Sequence, residues 1–231
     1  MNQPATKVLV IGYVWPEPRS SAAGGHMMQI LETFLTQGWD ITFSSPAALG
    51  EHKADLAALG IAECAIELNN SSFDDFICEL APDIVLFDRF MMEEQFGWRV
   101  EKCCPHALRV LETSDLQSLR DARHQRLRDH LKAHPDGEDF SALFTPALKQ
   151  EFQLMADTDL AKREIAAIYR CDISLMISDV EIRLLIEQFK VPAALLHWCP
   201  LMMQPPTAAF APFEDRAHFL SIGNFRHAPN W

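Results

Sequence analysis

A glycine pair followed by histidine, Gly24-Gly25-His26, immediately precedes the first amphipathic helical pattern of this chain, and that placement suits chemistry on an anion. Glycine lets a ligand come close to the backbone, and the first turn of a helix offers N–H groups and positive potential to a phosphate or carboxylate. The same pair would serve equally well to turn the chain. Asp157-Thr158-Asp159 has the acid spacing of a metal site, but it lies between two helical stretches, where such residues cap a helix N-terminus; capping is the stronger reading. The cysteines (Cys64, Cys78, Cys103, Cys104, Cys171, Cys199) show no C-x-x-C pairing and are expected to be reduced, structural thiols. His124, His130 and His134 share one segment without metal-ligand spacing, so no metal is expected.

Several chemistries lack their signatures. The chain has no G-x-x-x-x-G-K-[ST] phosphate loop, no G-x-G-x-x-G after the first strand, no H-E-x-x-H and no G-x-S-x-G. Its formal net charge of -12 over 231 residues argues against nucleic acid as a partner, because a duplex-binding surface needs a dominant positive field. One local exception is the stripe Arg120, Arg123, Arg126, Arg128 and Lys132, opposed by Asp121 and Asp129. It could dock on anionic lipid or a phosphorylated acceptor, although its thin apolar face favours a solvated helix or a lid. No apolar run reaches the roughly 18–20 residues needed to cross a bilayer, and residues 8–14 read as a strand rather than a signal peptide. A cytoplasmic location is expected, with peripheral contact at the inner face of the membrane as an extension of that reading.

The elements that must position these residues alternate. Strands are expected at 7–13, 39–44, 63–68, 83–87, 108–111, 172–177 and 194–197. Helices are expected at 27–35 (stopped by Gly38), at 51–59 (ended by Gly60), from Ser72, and at 93–103. A long charged helix follows Ser114, whose spacing to Gln117 makes a capping box. Residues 148–169 are helical by period with a break near Asp157, and Ser178 with Glu181 caps the helix over 181–189. Strand–helix–strand units of this length predict an α/β domain, a Rossmann-like doubly wound, mostly parallel sheet of about seven strands. The Pro- and Ala-rich stretch over 204–212 then reads as a linker, leading to a fresh strand at 217–222.

With the glycine pair, three further stretches carry a resemblance. These are 96–100 (Phe-Gly-Trp-Arg-Val) followed by 108–120 (Leu-Arg-Val-Leu-Glu-Thr-Ser-Asp-Leu-Gln-Ser-Leu-Arg), then 177–181 leading to 189–192, and the tail 220–231. In this order they resemble the N-terminal, acceptor-side domain of GT-B-fold glycosyltransferases, especially the retaining family-4 type. The resemblance implies an N-terminal domain over 1–203, an interdomain linker over 204–216, and the first strand and turn of a C-terminal donor-binding domain over 217–231. It implies a UDP- or GDP-type nucleotide diphosphate sugar as co-substrate, a glycan, lipid or small-molecule acceptor, no tightly bound cofactor and no metal. Gly24, Gly25 and His26 would then approach the diphosphate or sugar, Gly223, Asn224 and Arg226 would lie at the domain junction, and Glu112 and Asp115 would meet acceptor hydroxyls or cap the following helix. Gln117 stands where the family commonly has histidine, a departure that bears on catalysis. Apolar residues near the junction could also drive homodimerisation.

Overall fold

Runs of Val, Ile and Leu bounded by turn residues form strands covered on both faces, and amphipathic segments between them form the covering helices. The computed structural model describes residues 5–135, 141, 148–202 and 210–220. The first half of the chain contains β1 (Lys7–Ile11), α1 (Ala22–Thr36), β2 (Asp40–Ser45), β3 (Ala62–Ala65), α2 (Ser72–Leu80), β4 (Ile84–Asp88) and α3 (Phe90–Cys103). The second half contains β5 (Leu108–Ser114), α4 (Gln117–Ala133), α5 (Leu148–Met155), α6 (Asp159–Arg170), β6 (Ile173–Met176), α7 (Asp179–Glu187) and β7 (Leu196–Trp198). All seven strands join one parallel sheet in the order β3-β2-β1-β4-β5-β6-β7. This is the Rossmann-like α/β fold that the alternation predicts.

The period of two along each strand divides the core. Leu9, Ile11, Val85, Phe87 and Leu111 face α2, α3, α6 and α7, while Val8, Val10, Ile41, Phe43, Leu86 and Val110 face α1. Chain order runs outward from β1 through β2 to β3, then returns to β4 on the other side of β1. The loops after β1 and β4 therefore diverge, which opens a crevice at the carboxyl edge of the sheet, the usual ligand position in such folds.

Some expected elements differ. Residues 51–59 hold only a 3₁₀ turn at Ala57–Leu59, closed by Gly60 at φ 81°. The Ala54 N–H donates to the Pro16 carbonyl at 2.9 Å, and Asp55 caps the Ala58 N–H, so this segment is tied to the β1–α1 loop rather than wound into a helix. The glycine pair does not precede α1: Ser21 is the N-cap, its Oγ accepting the Gly24 N–H at 3.0 Å, and Gly24 and Gly25 lie within the first turn. The Ser114 capping box also fails. Ser114 ends β5 at φ 55° and turns its hydroxyl back to Glu112, and the N-terminus of α4 is capped by carboxylates from other helices. Glu164 accepts from the Gln117 N–H (2.7 Å), the Ser118 N–H (2.9 Å) and the Ser118 hydroxyl, while Glu181 accepts from the Leu116 N–H at 3.1 Å.

Other local expectations hold. Thr158 caps α6 by accepting the Ala161 N–H at 3.1 Å, and Ser178 caps α7 by accepting the Glu181 N–H at 3.3 Å. Of the strand expected at 217–222, residues 217–220 form none and the remainder lies outside the described residues.

Candidate functional site

Three buried ionisable side chains meet where β1, β4 and β5 end. Asp88 closes β4 and stands in register with Glu112 of β5, so the sheet itself sets two carboxylates side by side. Their exposures are 8% and 2%, and His26, reaching them from α1, is 1% exposed. The Asp88 Oδ2 accepts the Tyr13 N–H from the β1–α1 loop at 3.1 Å. Glu112 accepts the Ser114 N–H at 2.9 Å and the Ser114 hydroxyl at 3.0 Å, both from the next turn of backbone. The His26 Nδ1 lies 3.4 Å from Glu112 Oε1, an electrostatic approach without hydrogen-bond alignment, and its Nε2 lies 3.8 Å from the Cys199 sulfur.

Burial and charge shift these groups in opposite chemical senses. Burial pushes the Asp88 carboxyl up to about 7, helped by the neighbouring Glu112 charge and opposed by Arg89 and the Tyr13 N–H. For His26, burial works against the charged ring, but the contact with the Cys199 sulfur and the adjacent Glu112 carboxylate outweigh it and raise the imidazole to about 9. At neutral pH the ring is thus a cation held between a carboxylate and a thiol.

The backbone around the cluster is strained. Arg89, between β4 and α3, sits at φ 74° with its N–H on the Glu112 carbonyl (2.7 Å), and its guanidinium lies 5.0 Å from the Tyr13 ring centre. β5 shifts register between Glu112 and Ser114, at the positive-φ Ser114. Non-glycine residues in this region cost roughly 1–3 kcal/mol each and concentrate where a site over-determines them.

The expected site residues separate into those brought together and those placed apart. Gly24 packs against the Glu17 backbone, where a Cβ would meet the carbonyl oxygen at 2.5 Å, so this glycine serves packing. Gly25 is the opposite case: a Cβ there would meet nothing within 4 Å. Asp115 is half exposed and pairs with Arg120 at 3.3 Å. Gln117 lies across the Glu164 cap and lines a shallow crevice with Arg89, Phe90, Leu111, Thr113 and Leu116. Gly223, Asn224 and Arg226 lie outside the described residues. On α4, Arg120, Arg123 and Lys132 are engaged by Asp115, Glu151 and Asp129, which reduces the field of the basic stripe.

Among the described residues, no group of three or more His, Cys, Asp or Glu could hold a metal ion, and no helix is long and apolar enough to cross a membrane. All six cysteines are free thiols. Sequence reasoning passed over Asp88, Arg89 and Cys199. An acid at the carboxyl end of a central strand was a legible signal for Asp88; Cys199 had none, because it lies 173 residues from His26.

The seven-stranded parallel sheet, with its polar cluster at the switch between β1 and β4, is the Rossmann-like architecture found in GT-B glycosyltransferases. The chain superposes on the apo form of the lipopolysaccharide outer core galactosyltransferase WaaB with a TM-score of 0.51 and 13% identity, over 91% of this chain and 50% of that one. Lower similarity is found to UGT73P12 of Glycyrrhiza uralensis complexed with glycyrrhetinic acid 3-O-monoglucuronide (TM-score 0.48, 11% identity, 85% of this chain, 48% of that chain). An alpha-glucosyltransferase in complex with UDP and DNA follows (TM-score 0.43, 10% identity, 82% of this chain, 41% of that chain). The chain thus spans half or less of the length of these solved structures. No protein-family model matches the sequence, and no curated protein matches it.

Proposed function

We propose that this chain is the N-terminal, acceptor-side domain of a nucleotide-sugar-dependent glycosyltransferase of the retaining family-4 type. In this reading residues 1–203 form one wall of a cleft, 204–216 link it to a donor-binding domain, and 217–231 begin that domain. The observation that carries the reading is Gly25. It opens onto free space in the first turn of α1, beside the buried His26–Glu112–Asp88 cluster, on the edge where such folds take ligands.

The charge states favour stabilisation of a leaving group over proton abstraction. A His26 raised to about 9 already carries its proton at neutral pH and is a poor general base. Its charge and the α1 N-terminus instead suit a departing diphosphate, with no metal needed. Glu112 is committed to Ser114 and His26, so the half-exposed Asp115 is the better placed carboxylate for an acceptor hydroxyl. The donor would be a UDP- or GDP-sugar and the acceptor a glycan, lipid or small molecule; cell-surface polysaccharide synthesis at the inner face of the membrane fits that chemistry.

Calorimetry with a panel of UDP- and GDP-sugars tests the proposal, using this chain and a version continued through the following domain. Binding and transfer are expected in the longer chain, and Gly25→Leu should abolish them without lowering the melting temperature. A longer chain that binds no nucleotide sugar removes the glycosyltransferase reading and leaves a non-catalytic binding or assembly protein of the same fold.

A further inference from the structure

Cys199 follows β7 at the same carboxyl edge, with its N–H on the Met176 carbonyl at 2.8 Å. Three residues on, the Met202 N–H donates to the Gln29 side chain of α1 at 2.9 Å. Positions 26 and 29 share a helix face, so backbone hydrogen bonds on both sides hold the Cys199 segment over His26. The result is a line of three groups: the Cys199 sulfur 3.8 Å from His26 Nε2, His26 Nδ1 3.4 Å from Glu112 Oε1, and Glu112 fixed by Ser114. Thiol, imidazole and buried carboxylate in this sequence form a nucleophile, a proton carrier and its orienting group.

Nothing comparable surrounds the other cysteines. The sulfurs of Cys64 and Cys104 face backbone carbonyls, Cys103 contacts the exposed Cys78 thiol and the Asp74 carbonyl, and Cys171 is buried. Cys199 is half-buried, hence reachable, and its neighbour Trp198 is 57% exposed.

We propose that Cys199 is a nucleophilic thiol, primed by His26 and Glu112, that exchanges with small disulfides and becomes a site of reversible S-thiolation. The Cys199 sulfur attacks one sulfur of the incoming disulfide. The Cys199 proton passes to solvent as the new S–S bond forms and the old one breaks; the departing thiolate takes the proton carried by His26, which recovers one from solvent. The disulfide is the only oxidant consumed, and an external thiol reverses the step. Exchange needs only a thiol and a proton donor for the leaving sulfur, which the site holds. Acyl transfer would further require N–H donors aimed at a carbonyl oxygen. The site does not depend on the glycosyltransferase reading, but an adduct would lie on the edge that includes Gly25 and would compete with any ligand there.

The test is incubation of the reduced chain with oxidised glutathione at pH 7, with adducts at each cysteine followed by peptide-resolved mass spectrometry. Cys199 is expected to react about tenfold faster than the more exposed Cys78 in the same sample. His26→Gln should remove that advantage while the Cys78 rate stays unchanged. Should that variant fail to fold, the same comparison is made on wild-type protein unfolded in urea, where the advantage must vanish. A native Cys199 no faster than Cys78 overturns the proposal, as does an advantage that survives loss of His26 or unfolding.

Discussion

Replacing Asp88 with asparagine should stabilise this protein, and only where the pH lets the aspartate ionise. The asparagine side chain has the same shape and keeps an acceptor for the Tyr13 N–H, so Asp88→Asn removes little but the charge. The Asp88 carboxyl is raised from 3.8 to about 7 in the folded chain, chiefly by burial and then by Glu112. Between these values the folded chain binds more protons than the unfolded one, so stability falls as pH rises from about 4 to about 7 and is flat above. The three-unit span sets a ceiling of about 4 kcal/mol. Relaxation and loss of the attraction to Arg89, whose Nε lies 3.7 Å from Asp88, bring the expected gain to about 2 kcal/mol at pH 8. Urea unfolding of both proteins between pH 4 and 8 reads this directly, and with a slope of about 2 kcal/mol per molar the midpoints should separate by about 1 M at pH 8. Glu181, also raised to about 7 by burial, contributes equally to both proteins and cancels. A midpoint difference that does not change with pH, or a less stable variant at pH 8, would refute the electrostatic reasoning.

Four further changes probe the same edge. Gly24→Ala should cost about 2 kcal/mol by forcing a Cβ against the Glu17 backbone, whereas Gly25→Ala, with open space and a helical position, should gain about 1 kcal/mol; thermal unfolding of the pair separates packing from ligand access. Glu164→Ala strips the α4 N-terminus of its cap and should cost about 2–3 kcal/mol, with faster hydrogen exchange at the Gln117 and Ser118 amides. His26, raised from 6.5 to about 9, contributes stability that is complete below pH 6.5 and lost as pH climbs through 9; unfolding midpoints of the wild type should decline over that window, and His26→Gln should flatten the decline.

Much of the fold was legible because its signals are local. The apolar runs of β1, β4 and β5, the left-handed Gly60, and the Thr158 and Ser178 caps all act within a few residues, where spacing alone fixes the geometry. Residues 51–59 carried a helical pattern as well, but a single hydrogen bond from Ala54 to the β1–α1 loop belongs to another structure, and tertiary tethering won over period. The same competition defeated the Ser114 capping box. Its hydroxyl was drawn to Glu112, two residues away on a strained turn, and α4 took its cap from Glu164, 46 residues further on.

The candidate site divides along the same line. By itself the sequence determined that Gly25, His26 and Glu112 belong to the carboxyl edge of a parallel sheet, because in strand–helix crossovers every strand ends, and every following helix begins, at that edge. Only the tertiary structure decided that His26 turns inward between Glu112 and Cys199, that Asp88 stands beside Glu112 in the same buried cluster, and that Gly24 packs while Gly25 stays open. Side-chain contacts between distant segments are set by how the helices pack on the sheet, and packing depends on the whole core at once, which no local spacing encodes.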